Sequence, residues 1–357
     1  MAYTTINKST DYFNTKLYTG AGTSGSPFSL TGVGFAPDWT WIKRRDGASI
    51  GHRLFDRVRG ATKYIDSSAS SAETTNTSTL TAFGSDGFTL QNEGSVNDGS
   101  ALFTSWNWKA NGQGSSNTDG SINTTYTSVN TTAGFSIVSY TGNGTSGATI
   151  GHGLSSAPSM ILVKSRSTTQ SWIVYHKSIG ATKFLRLEGT DASAVASSVW
   201  NDTAPTNSVI TLGNSSGTNT NGTTYIAYCF AEKQGYSKFG SYVGANSNDG
   251  AFLYLGFKPA FIMVKAVSGS NTPGSQNWVI LDNKRSSSGG NNVIQYKLFP
   301  SASDAENTAE NNHADFLSNG VKFRGGNDAT NGNNTYIYMA FAEAPLVGSN
   351  NTPCTAR

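Results

Sequence analysis

The feature that most constrains this chain is a set of four landmarks that recurs three times in the same order. The first landmark is a short alternating strand closed by a Tyr-x-Gly turn. It falls in residues 12–22, 134–144 and 238–246, with turns at Tyr18-Thr19-Gly20, Tyr140-Thr141-Gly142 and Tyr242-Val243-Gly244. The second is a proline followed by an alternating apolar strand that ends in lysine: Pro37 to Lys43, Pro158 to Lys164 and Pro259 to Lys265. Proline at the entrance of a strand removes no ladder hydrogen bond, and the lysine reads as the point where the strand leaves the core. The third landmark aligns residues 54–63 (LFDRVRGATK) with 174–183 (VYHKSIGATK) and 278–285 (WVILDNKR). The fourth is an aromatic closing strand in residues 101–110, 224–232 and 335–343.

Self-similarity at this spacing means repeated structural units. Each repeat spans about 100 residues, a length at which one β-sandwich can close a core of its own. Composition points the same way. The 40 Gly and the abundant Ser, Thr and Asn favour turns over helix interiors, while 18 Phe, 15 Tyr and 7 Trp supply area for burial and exclude disorder. The expected fold is all-β, with three tandem antiparallel β-sandwich modules of jelly-roll or lectin-like type. No segment combines helical spacing with a credible cap; residues 304–310 form one helical turn at most. The expected core comprises Trp39, Trp41, Trp106, Trp108, Leu162, Tyr228, Met263 and Tyr338. Trp39 and Trp41 are two apart and share a strand face, as do Trp106 and Trp108.

The division that follows is an arm at 1–10, modules at 11–112, 134–236 and 237–346, a linker at 113–133 and a tail at 347–357. The Gly/Ser/Asn-rich stretch 111–120 reads as flexible. Residues 232–237 run straight into the next strand, so the second and third modules are expected to pack rigidly. The arm and tail lie outside the repeats and have no evident core.

Signals for chemistry are weak throughout. A net charge of +3 implies no nucleic-acid partner, and the cluster Lys43-Arg44-Arg45 is followed at once by Asp46. Cys229 sits in an apolar run and reads as a buried free thiol, and Cys354 belongs to the polar tail, so no disulfide framework is expected. No secretory signal or membrane-spanning run is present, which places synthesis in a cytosol without export or membrane insertion. His52, His152, His176 and His313 have no metal-ligand spacing. Gly32-Val33-Gly34 precedes no helix and is no dinucleotide fingerprint. Asp56 and Asp86 are the best placed carboxylates for a glycosidase pair, but Asp56 stands beside Arg57 and Arg59 as in a structural ion pair, and Asp86 occupies a turn. The loops at 246–250 and 326–332 carry oxygen ligands without the full calcium pattern. No catalytic residue, metal or cofactor is expected.

Trp39-Thr40-Trp41-Ile42-Lys43 with residues 54–60, Phe83-Gly84-Ser85-Asp86-Gly87-Phe88 and Trp106-Asn107-Trp108-Lys109 resembles an uncharacterised repeat module of virion and tail-fibre proteins of marine phages, notably those infecting cyanobacteria. The resemblance is strongest in the first repeat; the second lacks the Asp-x-Val-Arg-Gly core. It implies a non-catalytic structural protein of the virion surface, a tail fibre or another displayed protein that contributes to host attachment. Its partners would be other virion proteins and, through aromatic and amide-rich loops, a host-surface glycan. A homo-oligomer, most simply a trimer, is expected, because tandem sandwiches leave open sheet edges to cover. A capsid-decorating or head-fibre protein is the alternative, and a polysaccharide depolymerase the second.

Overall fold

The computed structural model describes residues 2–22, 27–47, 49–268, 276–285, 292–308, 313–326 and 329–353. The first repeat holds β1 (Phe13–Thr19), β2 (Phe28–Thr31), β3 (Trp39–Arg44), β4 (Arg53–Asp56), β5 (Lys63–Asp66), β6 (Thr74–Thr75), β7 (Leu80–Phe83), β8 (Gly87–Leu90) and β9 (Leu102–Trp108). The second holds β10 (Tyr126–Asn130), β11 (Phe135–Thr141), β12 (Ala148–Gly151), β13 (Met160–Ser165), β14 (Ile173–His176), β15 (Lys183–Arg186), β16 (Ala194–Val195), β17 (Val209–Leu212) and β18 (Thr224–Phe230). The third holds β19 (Ser237–Val243), β20 (Phe252–Tyr254), β21 (Phe257–Ala266), β22 (Val279–Asp282), β23 (Val293–Ile294), β24 (Ala314–Leu317), β25 (Gly320–Phe323) and β26 (Thr335–Pro345). Two four-residue helical turns, Gly94–Asn97 and Ser197–Trp200, accompany them. Residues 304–308 hold no helix, and 309–310 lie outside the described residues.

The chain is all-β, built from several antiparallel sheets. Three are large, in the orders β1-β9-β3-β4-β5-β6, β10-β11-β18-β13-β14-β15-β16 and β19-β26-β21-β22. Three are small: β2-β8-β7, β12-β17 and β20-β25-β24-β23. In each large sheet the closing strand of the repeat lies between its first strand and its Pro-to-Lys strand. Register is shared as well. Trp39 pairs Asp56 and Trp108, Met160 pairs His176 and Phe230, and Phe261 pairs Asp282 and Phe341. Pro37 and Pro158 stand just before β3 and β13, whereas Pro259 lies inside β21 at a register shift, a place that also tolerates the missing donor.

Side chains on the two faces of the large sheets go to different cores. One face of each packs with its own small sheet, giving three clusters: one around Leu30, Ile42, Phe55 and Phe88, one around Ile150, Val163, Ile210 and Leu212, and one around Leu253, Val264, Phe316 and Val321. The other face of all three joins a single central cluster that includes Trp39, Trp41, Trp106, Trp108, Leu162, Tyr228 and Met263. Tyr338, one register step from Met339, faces the third small sheet. Two-sided burial explains why β3 and β13 are buried along almost their whole length.

Two sequence expectations change here. The segment 113–133 is no flexible linker. It contains β10, pairs Ser115 with Thr127 and Ile122 with Ile150, and begins where Asp38 accepts the Ala110 and Gly112 N–H groups at 2.6 and 3.0 Å. The arm is not outside the core, because Ile6 is buried in the central cluster. It also meets the tail, where the Asn7 side-chain amide bonds Ser349 at both its donor and its acceptor, each at 2.7 Å. Cys354 lies outside the described residues.

Candidate functional site

The centre of the molecule is a triangle of rings from one equivalent position in each repeat. Trp108, Phe230 and Phe341 stand with centroids 6.5, 6.0 and 5.7 Å apart, in mostly edge-to-face contact. Around it Trp39 stacks on Tyr228 at 4.5 Å and Phe13 on Phe341 at 5.1 Å, so aromatic contact crosses from repeat to repeat.

Polar contacts encircle this core, and the lysine, tryptophan and tyrosine donors that cross between repeats run in one rotary sense: second repeat to first, first to third, third to second. The strand-end lysines make the clearest ring. None leaves the core; Lys43, Lys164 and Lys265 are fully buried. Each donates to the carbonyl of its own successor and to one from a loop of the next repeat: Lys43 to Ser303 at 3.4 Å, Lys164 to Ser70 at 3.0 Å and Lys265 to Thr190 at 3.1 Å. Burial pulls the three ammonium groups down to about 8, 8 and 7. A second ring is made by the residues before β4, β14 and β22. Trp172 donates to the Asp66 carbonyl at 2.7 Å and Trp278 to that of Arg186 at 2.8 Å; His52 takes the third place, facing the Phe299 backbone. A third is backbone alone: the N–H groups of Glu73, Ser193 and Glu306 donate to the carbonyls of Arg166, Val267 and Arg45.

Charge is distributed over these joints in complete sets. At the second-to-first joint, Asp56 accepts from Arg59 and from Tyr228 Oη at 2.7 Å, and Glu73 is held by Arg59 and, at 2.9 Å, by Arg166. At the first-to-third joint, Asp282 accepts from Arg285 and from Trp106 Nε1 at 2.9 Å, and Glu306 is held by Arg285 and Arg45. The third-to-second joint has none of these charges. His176, Ile179, Ser193, Val267 and Met339 stand in the equivalent places, and His176 Nε2 donates to the Tyr338 carbonyl at 3.1 Å. Every buried charge in the set has its partner or is absent together with it, as the cost of an unpaired buried ion requires.

The residues considered for chemistry lie within such structural bonding. His52, His152, His176 and His313 are all buried, and burial holds each below the usual imidazole range, His176 and His313 at about 4. Burial pushes the Cys229 thiol up to about 12, which removes it as a nucleophile at neutral pH. Asp56 and Asp86 belong to separate networks; exposed Asp86 accepts the Gly32 and Gly34 N–H groups, which hold it below the usual carboxylate range. In the 246–250 loop Asp249 pairs with Lys322 at 2.7 Å, and residues 327–328 of the other candidate loop lie outside the described residues. Among the described residues no group of three or more His, Cys, Asp or Glu is placed to hold a metal ion.

One recurring device escaped the sequence reading. Tyr18, Tyr140 and Tyr242 donate to the carbonyls of Val96, Thr218 and Thr330 at 2.7, 2.6 and 2.6 Å. The residues that follow, Asn97, Asn219 and Asn331, accept the N–H of the chain just past the Tyr-x-Gly turn at 2.8, 2.9 and 3.0 Å. The available signal was an Asn four or five residues ahead of every closing strand.

The model of one protein family, described as a domain of unknown function (DUF7483), matches residues 8–345. No curated protein and no solved structure matches the chain.

Proposed function

The chain belongs to this family of unknown function, and we propose that it is a structural, non-catalytic component of a phage virion surface, built as three homologous β-sandwich units closed into a trimer within one chain. The Trp108–Phe230–Phe341 triangle carries this reading, because one position from each repeat converges on one point. A closed cyclic arrangement of equivalent interfaces is how separate subunits build a trimer. Here the connections at 109–134 and 231–236 would join those subunits covalently, so the trimer expected of separate chains is replaced by one built within the chain. Groups that could serve acid–base or nucleophilic chemistry hold the joints together instead, which suits a rigid display body. Its Asn-, Ser- and Thr-rich loops would face other virion proteins or a host-surface glycan.

Between positions on the particle, closure of the repeats into one body favours decoration of the shell over a place in a fibre shaft, where units stack along a line. The test is to purify particles from infected cells, quantify the protein by mass spectrometry and locate it with labelled antibody. Regular copies at the particle surface support the proposal. Absence from purified particles, or turnover of host envelope polysaccharide by the isolated protein, overturns it.

A further inference from the structure

We propose that the third repeat carries a docking groove for an extended, uncharged segment of a partner polypeptide, at the edges of β19 and β20. The chain itself supplies the precedent. In the second repeat, residues 121–126 form a strap across the corresponding edges. Ile122 N–H donates to Thr149 of the small sheet at 2.9 Å, Thr125 N–H donates to the Ser139 carbonyl of the large sheet at 2.7 Å, and Tyr126 pairs with Ser139. Under it β11 is buried from Phe135 to Tyr140, and Ile150 is fully buried.

By register Ser241 is the counterpart of Ser139, since Tyr140 pairs Tyr225 and Tyr242 pairs Tyr336 in the same frame. The connection into the third repeat is too short to supply a strap. Lys233 covers Ser237 and the Glu232 carboxylate reaches the Phe239 N–H at 3.3 Å, where coverage of β19 by this connection stops; at the far end of β20 the Tyr3 hydroxyl of the arm bonds the Gly256 carbonyl at 2.7 Å and meets Tyr254. Because Tyr236 and Gly244 bond towards β26, the Ser241 and Val243 N–H and carbonyl groups point outward, away from that strand. Ser241 is exposed, Val243 is 69% exposed, and Phe252 and Tyr254 on edge strand β20 are 48% and 50% exposed. Of the five well-exposed large apolar side chains among the described residues, three lie here. Lys238, which donates to the Tyr254 carbonyl at 2.9 Å, joins the two edges.

An occupant shaped like the strap fits this surface: a short extended segment that adds to the β19 edge, with an apolar side chain and an aromatic four residues apart, as Ile122 and Tyr126 are. Main-chain bonds would give affinity and the exposed Phe252, Tyr254 and Val243 would give selectivity. The inference does not depend on where the chain sits on a particle.

The probe is a fluorescent peptide of residues 113–131, titrated against the full chain and read by anisotropy, with a scrambled peptide as control. Saturable binding tighter than about 1 mM is expected. Ser241→Pro, which removes an outward N–H and spares the β26 ladder, should weaken it at least about tenfold with melting unchanged. Phe252→Ser, a change at a side chain 48% exposed, should weaken it as well. No saturable binding would overturn the proposal, as would binding that survives both substitutions, which would place the peptide elsewhere. A self-associating chain that Ser241→Pro returns to monomer would make the occupant a second copy and overturn the proposal too.

Discussion

Exchange of the charge set at one joint tests the central claim that these groups belong together. Arg59→Ile alone leaves Asp56, whose side chain is fully buried, with only Tyr228 and the backbone as partners, and removes one of the two guanidinium groups that hold Glu73. Breaking a buried pair in this way costs about 3–5 kcal/mol. The third-to-second joint shows what a charge-free version contains. Asp56→His, Arg59→Ile, Glu73→Ser, Arg166→Val and Tyr228→Met together copy it onto the second-to-first joint. Replacement of a whole buried set by apolar groups is close to neutral, less about 1–3 kcal/mol for imperfect packing, so the fivefold variant should be more stable than the single one. Because all three repeats share the central cluster, the chain of 357 residues should unfold as one cooperative unit. At about 2.1 cal/mol/K per residue the unfolding entropy is about 0.75 kcal/mol/K, so 4 kcal/mol lowers Tm by about 5 °C. A repeat of about 110 residues that unfolded alone would fall by about 17 °C in its own transition. Calorimetry reads both quantities. A fivefold variant that melts below Arg59→Ile, or three separate transitions in the parent, would refute the reasoning.

Other expectations follow from the same contacts. Stability should rise with pH from about 5 to about 9.5. His176 and His313, held at about 4, gain a proton below the usual 6.5 only in the unfolded chain, and the lysines, held at about 7 to 8 against the usual 10.5, are charged above those values only in the unfolded chain. A Tm that peaks near neutrality and falls by pH 9.5 would contradict this, and Lys265→Met should flatten the upper part of the climb. Asn219→Ala and Asn331→Ala each remove an acceptor and two side-chain donor bonds, at about 0.5–1.5 kcal/mol per bond. Asn97→Ala should cost less by chemical denaturation, because the buried Asn97 Nδ2 has no partner. Trp41→Ala should cost about 3–5 kcal/mol, and unchanged melting would remove Trp41 from the core.

The repeat was legible because its landmarks are local: a turn needs its glycine, a strand entrance tolerates its proline, and an ion pair three residues apart fits within a single turn. What lay between repeats was less so. Trp39-Thr40-Trp41-Ile42-Lys43 was read as alternating, with one buried face, yet Thr40 and Ile42 are buried as completely as the tryptophans. The near-continuous apolar run in residues 160–163 was the sign of a sheet covered on both sides. Lysine is almost never fully buried without a partner, and the partners here are carbonyls on loops more than 70 residues away, which no local pattern displays. Residues 111–120 have a linker's composition, but composition does not register that Asp38 pins the start or that Asn117 bonds Thr124.

The ring itself left a trace that a comparison of the three repeats could have found. At one equivalent position the repeats carry Arg45, Arg166 and Val267; at another they carry Glu73, Ser193 and Glu306. Within a single repeat these do not match: the first has both charges, the second an arginine without its glutamate, the third a glutamate without its arginine. If each repeat packed only on itself, Arg166 would stand without a carboxylate, and Glu306 would keep Arg285 but lose its second arginine, an imbalance that the cost of desolvating charge disfavours. A shift of one column by one repeat pairs Arg166 with Glu73, Arg45 with Glu306 and Val267 with Ser193, leaving nothing unmatched. Only a cyclic arrangement with each repeat reaching the one before it, and the first reaching the third, satisfies all three positions, and that is the direction in which the lysines and the tryptophans donate, with the loop N–H groups of Glu73, Ser193 and Glu306 donating back across the same joints.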